Sequence, residues 1–329
     1  MLVKNKGVFN KMVENAINQT KSEKERYLEY STANHLPKFF NGITNGSNNS
    51  CIKTNFEDDL LEGGLYEGLY CVGAISSLGK TTFVTQIADQ IAAQGTDVLI
   101  FSIEMSRWEI ISKSISRHTV IESIASNSDI RNAKTARGIT EGSRYSGYSN
   151  PEKDLIKKAV ANYSQYCKNI YIVEGTGPIG VELIRKTVEN HLKYTGKVPV
   201  VIIDYLQILY PVDVRLTEKQ NTDRSVIELK RISRDFKTPV IAISSFNREN
   251  YKSVVSMQSF KESGAIEYSS DVLIGLQLKG TGPANFDVNE AKSRNPREIE
   301  LVVLKNRNGR TGIKMEFDYY AMYNYFKEK

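Results

Sequence analysis

The stretch Gly73-Ala-Ile-Ser-Ser-Leu-Gly79-Lys80-Thr81 constrains this chain more than any other. It satisfies the spacing G-x-x-x-x-G-K-[ST], and its surroundings matter as much as its letters. It grows out of a short apolar run, Leu69–Ala74, and opens a helical pattern with Phe83, Ile87, Ala88 and Ile91 on one face. A strand that feeds a glycine-bearing turn and then a helix aims backbone N–H groups at an anion. The positive N-terminal end of the helix adds to the attraction. The two glycines are expected to let the backbone curl around phosphate. On this pattern Lys80 reaches the β- and γ-phosphates of ATP, and the Thr81 hydroxyl takes Mg²⁺. Phosphate contacts are expected from Gly73, Ser76, Ser77, Leu78, Gly79, Lys80, Thr81 and Thr82.

The rest of the chain reads as a fold built round such a turn. Apolar runs at Val98–Ile103, Ile170–Val173, Val198–Ile203, Val240–Ile243, Val272–Leu276 and Ile299–Leu304 include several rich in Val and Ile, as buried strands are. Helical faces lie between them: Ile156, Ala159, Val160 and Tyr163; Val181, Ile184 and Val188; Val226, Leu229, Ile232 and Phe236. Gly95 suits a helix C-terminus, and Ser106 with Glu109 forms a capping box for the helix that follows. Strands alternating with helices predict an α/β domain with a mainly parallel sheet flanked by helices. The polar region 280–298 is expected to be an exposed loop.

Two acids then stand out. Val-Val-Ile-Ile-Asp204 is an apolar strand ending in a carboxylate. Asp204 is expected at the carboxyl end of a strand next to the phosphate turn, where α/β sheets bind ligands, holding Mg²⁺ through water. Glu104 ends the run Val98–Ile103 and can accept a proton from the water attacking the γ-phosphate. The alternative is that Glu104 only supplies negative charge to the start of the helix behind Ser106.

Composition excludes more than it selects. A chain of 329 residues can bury a sizeable core without metals or disulfides. Cys51, Cys71 and Cys167 make no CxxC pair, so they point to free thiols in a reducing compartment rather than to zinc or a disulfide framework. No segment has the length of a membrane span or the apolar stretch of a signal peptide, and a cytoplasmic location is expected. The net charge of +6 is compatible with a polyanionic partner and decides nothing alone. Phe9, Met12, Val13, Ala16 and Ile17 mark a helical face that either packs on the main domain or docks on a neighbouring subunit. Asn41–Ser50 is turn-rich and reads as a linker. The expected division is a helical N-terminal extension and linker over 1–45 and a catalytic domain over 46–329.

Six blocks carry a resemblance: Gly73–Thr81, Ser102-Ile-Glu104-Met-Ser, Val201-Ile-Ile-Asp204-Tyr-Leu-Gln, Ser244-Ser-Phe-Asn-Arg248, Phe260-Lys-Glu-Ser-Gly-Ala-Ile-Glu267 and Lys305-Asn-Arg307-Asn-Gly309. In this order they resemble the ATPase domain of DnaB-type replicative helicases, from about residue 50 to the end. The last two blocks are the most specific, because generic RecA-like ATPases do not share them. The chain looks most like short DnaB-like proteins of bacterial mobile elements and phages. The resemblance implies a RecA-like fold and a homohexameric ring that hydrolyses ATP between subunits and moves on single-stranded DNA. It implies that Lys305 and Arg307 reach into the neighbouring subunit's site, Arg307 as an arginine finger. It implies that Lys261, Glu262 and Gly264 belong to a loop tracking single-stranded DNA, Lys261 pairing with phosphate and Gly264 baring backbone N–H groups. A helicase loader or primase is the further class of partner it brings.

The chain also departs from the family. Ser245 stands where the family has a glutamine that senses the γ-phosphate, and Lys261 replaces an arginine, losing its fork. Residues 1–45 stand where full-length members carry a large N-terminal domain, so an N-terminal collar and primase binding are not carried over. Two other readings stay open: an ATP-controlled DNA- or partner-binding module without unwinding, and a RecA-like recombination or clamp-loader-type ATPase.

Overall fold

The computed structural model describes residues 22–45, 51–56, 61–175, 177–246, 253–260 and 264–329. The chain divides into two units, Met1–Ser50 and Cys51–Lys329. In the first, α1 (Glu23–Leu28) starts at a reciprocal capping box between Ser22 and Glu25. The next helix, α2 (Leu36–Thr44), has Pro37 in its first turn, where a missing N–H costs nothing. It takes in Asn41–Thr44, which the sequence reading gave to a linker. Leu36, Phe39, Phe40 and Ile43 recur at i, i+3, i+4 and i+7, and that period outweighs the local Asn and Gly. All four are exposed. The helix expected around Phe9–Ile17 lies outside the described residues.

In the second unit, β1 (Gly68–Ala74) leads through the glycine turn to α3 (Lys80–Ala93) and then β2 (Val98–Ser102). A helical excursion follows: α4 (Arg107–Ala125), the short α5 (Ala136–Thr140) and α6 (Gly142–Gly147), and α7 (Asn150–Tyr166). The chain continues through β3 (Ile170–Glu174), α8 (Val181–Thr195), β4 (Val200–Asp204), α9 (Glu218–Phe236) and β5 (Pro239–Ser245). It ends with α10 (Gly264–Ser269), β6 (Val272–Leu278), α11 (Val288–Ser293), β7 (Arg297–Asn306), β8 (Lys314–Tyr320) and β9 (Tyr325–Glu328). Every strand expected from sequence is present.

The described strands form one sheet in the order β3-β2-β4-β5-β1-β6-β7-β8-β9. From β3 to β6 all neighbours are parallel, and β6 to β9 are antiparallel. Every residue of β1, β2, β4 and β6 is buried, as expected for strands covered on both faces. α3 buries Phe83, Val84, Ile87, Ala88 and Ile91 against the sheet, each large side chain worth about 1.5–3 kcal/mol. Phe83 also stacks on Phe56 and meets Phe317 and Phe326 edge-on, with centroids 5.4–5.7 Å apart. The last hairpin is thereby anchored to the helix that follows the glycine turn. The chain leaves β1 towards β2 on one side, while β6 lies on the other. Such a reversal opens a crevice at the carboxyl end of β1.

The region 280–298 is not a plain exposed loop. It contains α11 and the start of β7, and both reach back to the glycine turn.

Candidate active site

The turn after β1 takes left-handed backbone at Ser77 (φ 62°) and Gly79 (φ 91°). Gly79 is also crowded, since a Cβ there would stand 2.7 Å from the Tyr319 ring. It is the N-cap of α3 and offers no side-chain cap, so the first N–H groups of the helix are left to serve an anion. Gly73 corrects the sequence reading. It belongs to β1, it has no left-handed φ, and a Cβ there would overlap Phe246 and approach Phe260 to 2.7 Å. It is glycine because two aromatic rings close over the strand, not because the loop must curl there. The Lys80 ammonium donates to the carbonyls of Ala74 (3.1 Å) and Ile75 (3.4 Å). Burial lowers its pKa, and the charges of Asp204 and Glu104 oppose that shift. The Thr82 hydroxyl faces Asn324 Oδ1 at 3.5 Å, towards the last hairpin.

Asp204 ends β4 as expected, but its strand is not next to β1, because β5 lies between them. The two parts still meet. α3 crosses the sheet face and brings the Thr81 hydroxyl close enough to the Asp204 carboxylate to favour its ionised form. Burial raises the Asp204 pKa; the Thr81 hydroxyl opposes this, while the nearby Glu104 charge adds to it. Asp204 Oδ2 is buried and has no hydrogen-bond partner among the described residues. A buried carboxylate oxygen without a partner, beside a threonine hydroxyl, fits a hard cation such as Mg²⁺. No group of three or more His, Cys, Asp or Glu among the described residues could hold a metal alone. That suits a Mg²⁺ whose remaining ligands are phosphate and water.

Glu104 is exposed in the turn between β2 and α4. Ser102 braces that turn, its hydroxyl donating to Met105 O at 2.6 Å and accepting from Met105 N at 3.2 Å. The expected capping box of Ser106 with Glu109 then starts α4. Ser245 ends β5 beside an amide from elsewhere. Gln207 donates through Nε2 to Ser244 Oγ (2.8 Å) and accepts from Ser245 N through Oε1 (3.4 Å). A glutamine side chain therefore stands at this strand end although position 245 is serine.

Three cations went unnoticed in the sequence. Lys113 of α4 donates to Asn324 Oδ1 at 3.3 Å and is lowered in pKa by burial and then by Arg117, with Asp204, Glu109 and Glu104 opposing. Lys292 of α11 donates to Ser76 O at 3.0 Å, and Arg297 of β7 donates to Ser77 O at 3.1 Å. Arg297 also lies over the Tyr319 ring. Lys113 could have been found as a cation on the α4 stretch that follows Glu104. Lys292 and Arg297 gave no local signal.

Lys305 and Arg307 sit at the far end of β7. Lys305 donates to the Glu267 carbonyl at 2.5 Å and to Tyr268 O at 3.4 Å, both at the end of α10. Burial lowers its pKa, and Arg307 adds to that. Arg307 N donates to Asp271 O at 2.8 Å, and its guanidinium lies 3.4 Å from the Asp271 carboxylate, half-exposed. Asp271 in turn pairs with Leu69 at the start of β1. Arg307 is thus level with Leu69, while the phosphate turn begins after Ala74, on the order of 20 Å further along the strand at 3.3 Å per residue. Gly264 opens α10. Lys261 and Glu262 lie outside the described residues, as does Arg248.

The family model of the DnaB-like helicase C-terminal domain matches residues 51–328. The chain belongs to that family. Its relatives include a probable replicative DNA helicase of Trieres chinensis, 26% identical over 79% of this chain and 53% of that protein. The replicative DNA helicase DnaB of Geobacillus stearothermophilus is 28% identical over 82% of this chain and 54% of its own length. The DnaB-like chain therefore spans about half the length of the curated relatives it matches. Among solved structures, an isolated ATPase domain aligns with a TM-score of 0.72 at 22% identity, covering 90% of this chain and 98% of that one. A DnaB-like replicative helicase studied with primase gives 0.71 at 22%, covering 90% and 66%. These likenesses show the RecA-like ATPase fold. Among the described residues no helix is long and apolar enough to cross a membrane.

Proposed function

We propose that this chain is the motor core of a DnaB-like DNA helicase. It would hydrolyse ATP at sites shared between copies of itself, as a ring around single-stranded DNA in the cytoplasm. The reading is carried by the separation within one chain of the phosphate turn and Arg307. A guanidinium on the order of 20 Å along the strands from its own phosphate turn is out of reach of it, which supports a role for Arg307 at the site of another copy. In this reading the N–H groups from Ser76 to Thr82 and the Lys80 ammonium cradle the triphosphate. Thr81 and, through water, Asp204 would hold Mg²⁺, which draws electron density from the phosphoryl oxygens. Glu104 takes the proton of the attacking water. Arg307 of the next copy neutralises charge on the departing phosphoryl, a contribution of about 10³–10⁵ in rate in other systems.

Lys305, expected to reach into the neighbouring site together with Arg307, has its ammonium held by the end of α10 of its own chain and so fixes the strand that carries Arg307. Because α10 begins at Gly264, it also ties that strand to the segment assigned to DNA, Lys261 to Gly264. The apolar stripe of α2 offers further surface for self-association. Contacts with a helicase loader would extend the assembly. A non-unwinding binding module is motivated by Ser245 and by residues 1–45 standing in place of a large N-terminal domain; the Gln207 amide beside Ser245 bears on the first of these alone. The test is ATPase rate with and without single-stranded DNA, together with strand displacement on a fork. The proposal expects DNA-stimulated hydrolysis, displacement, and a deep loss of both in Arg307→Ala. ATPase activity without displacement would favour the binding module, and an undiminished mutant would remove the shared site.

A further inference from the structure

Asp271 is a carboxylate that the proposed chemistry leaves unused. It lies just before β6 and is buried, with 8% of its surface exposed. One oxygen, Oδ2, accepts from Leu69 N at 2.7 Å and pairs with Lys230 of α9. The other, Oδ1, faces Arg307 Nη1 at 3.4 Å. Its backbone carbonyl accepts Arg307 N–H at 2.8 Å. One residue therefore grips both the main chain and the side chain of Arg307, and ties them to the first residues of β1 and to α9.

We propose that Asp271 is the positioning residue for Arg307, setting the angle at which the guanidinium is offered to the next copy of the chain. The inference rests on the reading of Arg307 as a shared-site residue. The charge balance favours a hold that can be released. Lys230, Lys305 and Arg307 gather around this one buried carboxylate, and Lys230 takes the closer grip. A carboxylate divided between two cations binds neither at full strength. The half-exposed guanidinium can then turn to a triphosphate, which carries more negative charge. Until it does, it loses little orientational freedom by waiting in place. Misplacing such a group by about 1 Å can cost on the order of 100-fold in rate.

The test uses full-length Asp271→Asn, Lys230→Met, Arg307→Ala and the double variant Asp271→Asn/Arg307→Ala. The readouts are kcat and KM for ATP with single-stranded DNA present. Asp271→Asn keeps an acceptor for Leu69 N but loses the charge. It should lower kcat by roughly 10- to 100-fold with KM for ATP unchanged. Added to Arg307→Ala it should cost nothing more. Lys230→Met removes the competitor and should leave kcat at or above wild type. A structural role for the Asp271–Lys230 pair predicts the reverse: loss in Lys230→Met as deep as in Asp271→Asn, and multiplied losses in the double variant. Either of those results, or a wild-type kcat in Asp271→Asn, overturns the proposal. If Asp271→Asn does not fold, a loss of kcat of about tenfold or more in Lys230→Met still overturns the proposal. An active Arg307→Ala would instead show that the shared-site reading itself has failed.

Discussion

Gly73→Ala separates two reasons for a glycine in the phosphate motif. If the residue were needed for a curled loop, alanine would weaken nucleotide binding and leave the fold intact. The structure says otherwise, because Gly73 is a strand residue closed over by Phe246 and Phe260. The new methyl would overlap Phe246 and stand 2.7–2.8 Å from Phe260, so both rings must move. The rings form an edge-to-face pair with centroids 5.1 Å apart, and Phe246 is also bridged to Phe260 through the backbone. Overpacking of this kind costs about 1–3 kcal/mol, and disturbing an aromatic pair up to about 1.5 more. With a urea m-value of about 3 kcal/mol/M, the unfolding midpoint should fall by about 0.3–1.5 M. Truncating a ring should recover part of that loss, so Gly73→Ala/Phe260→Leu should unfold later than Gly73→Ala. A Gly73→Ala protein with the wild-type midpoint and weakened ATP binding would refute the packing argument.

Other substitutions probe the site itself. Arg297→Ala and Lys292→Ala each remove a charge-assisted bond to the phosphate turn. Each should raise KM for ATP about tenfold with little change in kcat, measured by steady-state ATPase; an unchanged KM would show these contacts to be incidental. Glu104→Gln should keep ATP binding, followed by a fluorescent analogue, while kcat drops about 10²–10⁴-fold; lost binding would mark Glu104 as structural. Burial raises the Asp204 pKa above its ordinary 3.8, and Mg²⁺ needs the ionised form. Activity should therefore fall as pH drops through that raised value, and more Mg²⁺ should move the acid limb of the pH–rate profile to lower pH. An acid limb indifferent to Mg²⁺ would contradict the assignment.

The parallel half of the fold was legible because its strands, the edge strand β3 apart, are buried on both faces and read as plain apolar runs. The α4 cap was legible because a capping box is local. β8 was missed although it alternates, with Met315, Phe317 and Tyr319 buried, because polar residues and two tyrosines mask the period. The motif residues were found by spacing, yet spacing could not show that β5 separates Asp204 from β1. Lys292 and Arg297 were hidden for a different reason. Their partners, Ser76 and Ser77, are over 200 positions away in the chain, and only the fold of β7 back along β6 brings them together. The stretch around them is polar, and polarity alone reads as solvent.

The shared site is most directly tested by mixing two inactive proteins. Lys80→Ala lacks the phosphate cradle, and Arg307→Ala lacks the residue offered to a neighbour. In a mixed assembly, interfaces that join an intact Lys80 to an intact Arg307 should make up about a quarter of the total. The measurement is DNA-stimulated ATPase of each protein alone and of the equimolar mixture after reassembly. The account predicts two nearly silent proteins and a mixture that regains a substantial share of wild-type activity. A mixture as silent as its parts, with assembly confirmed, would contradict it.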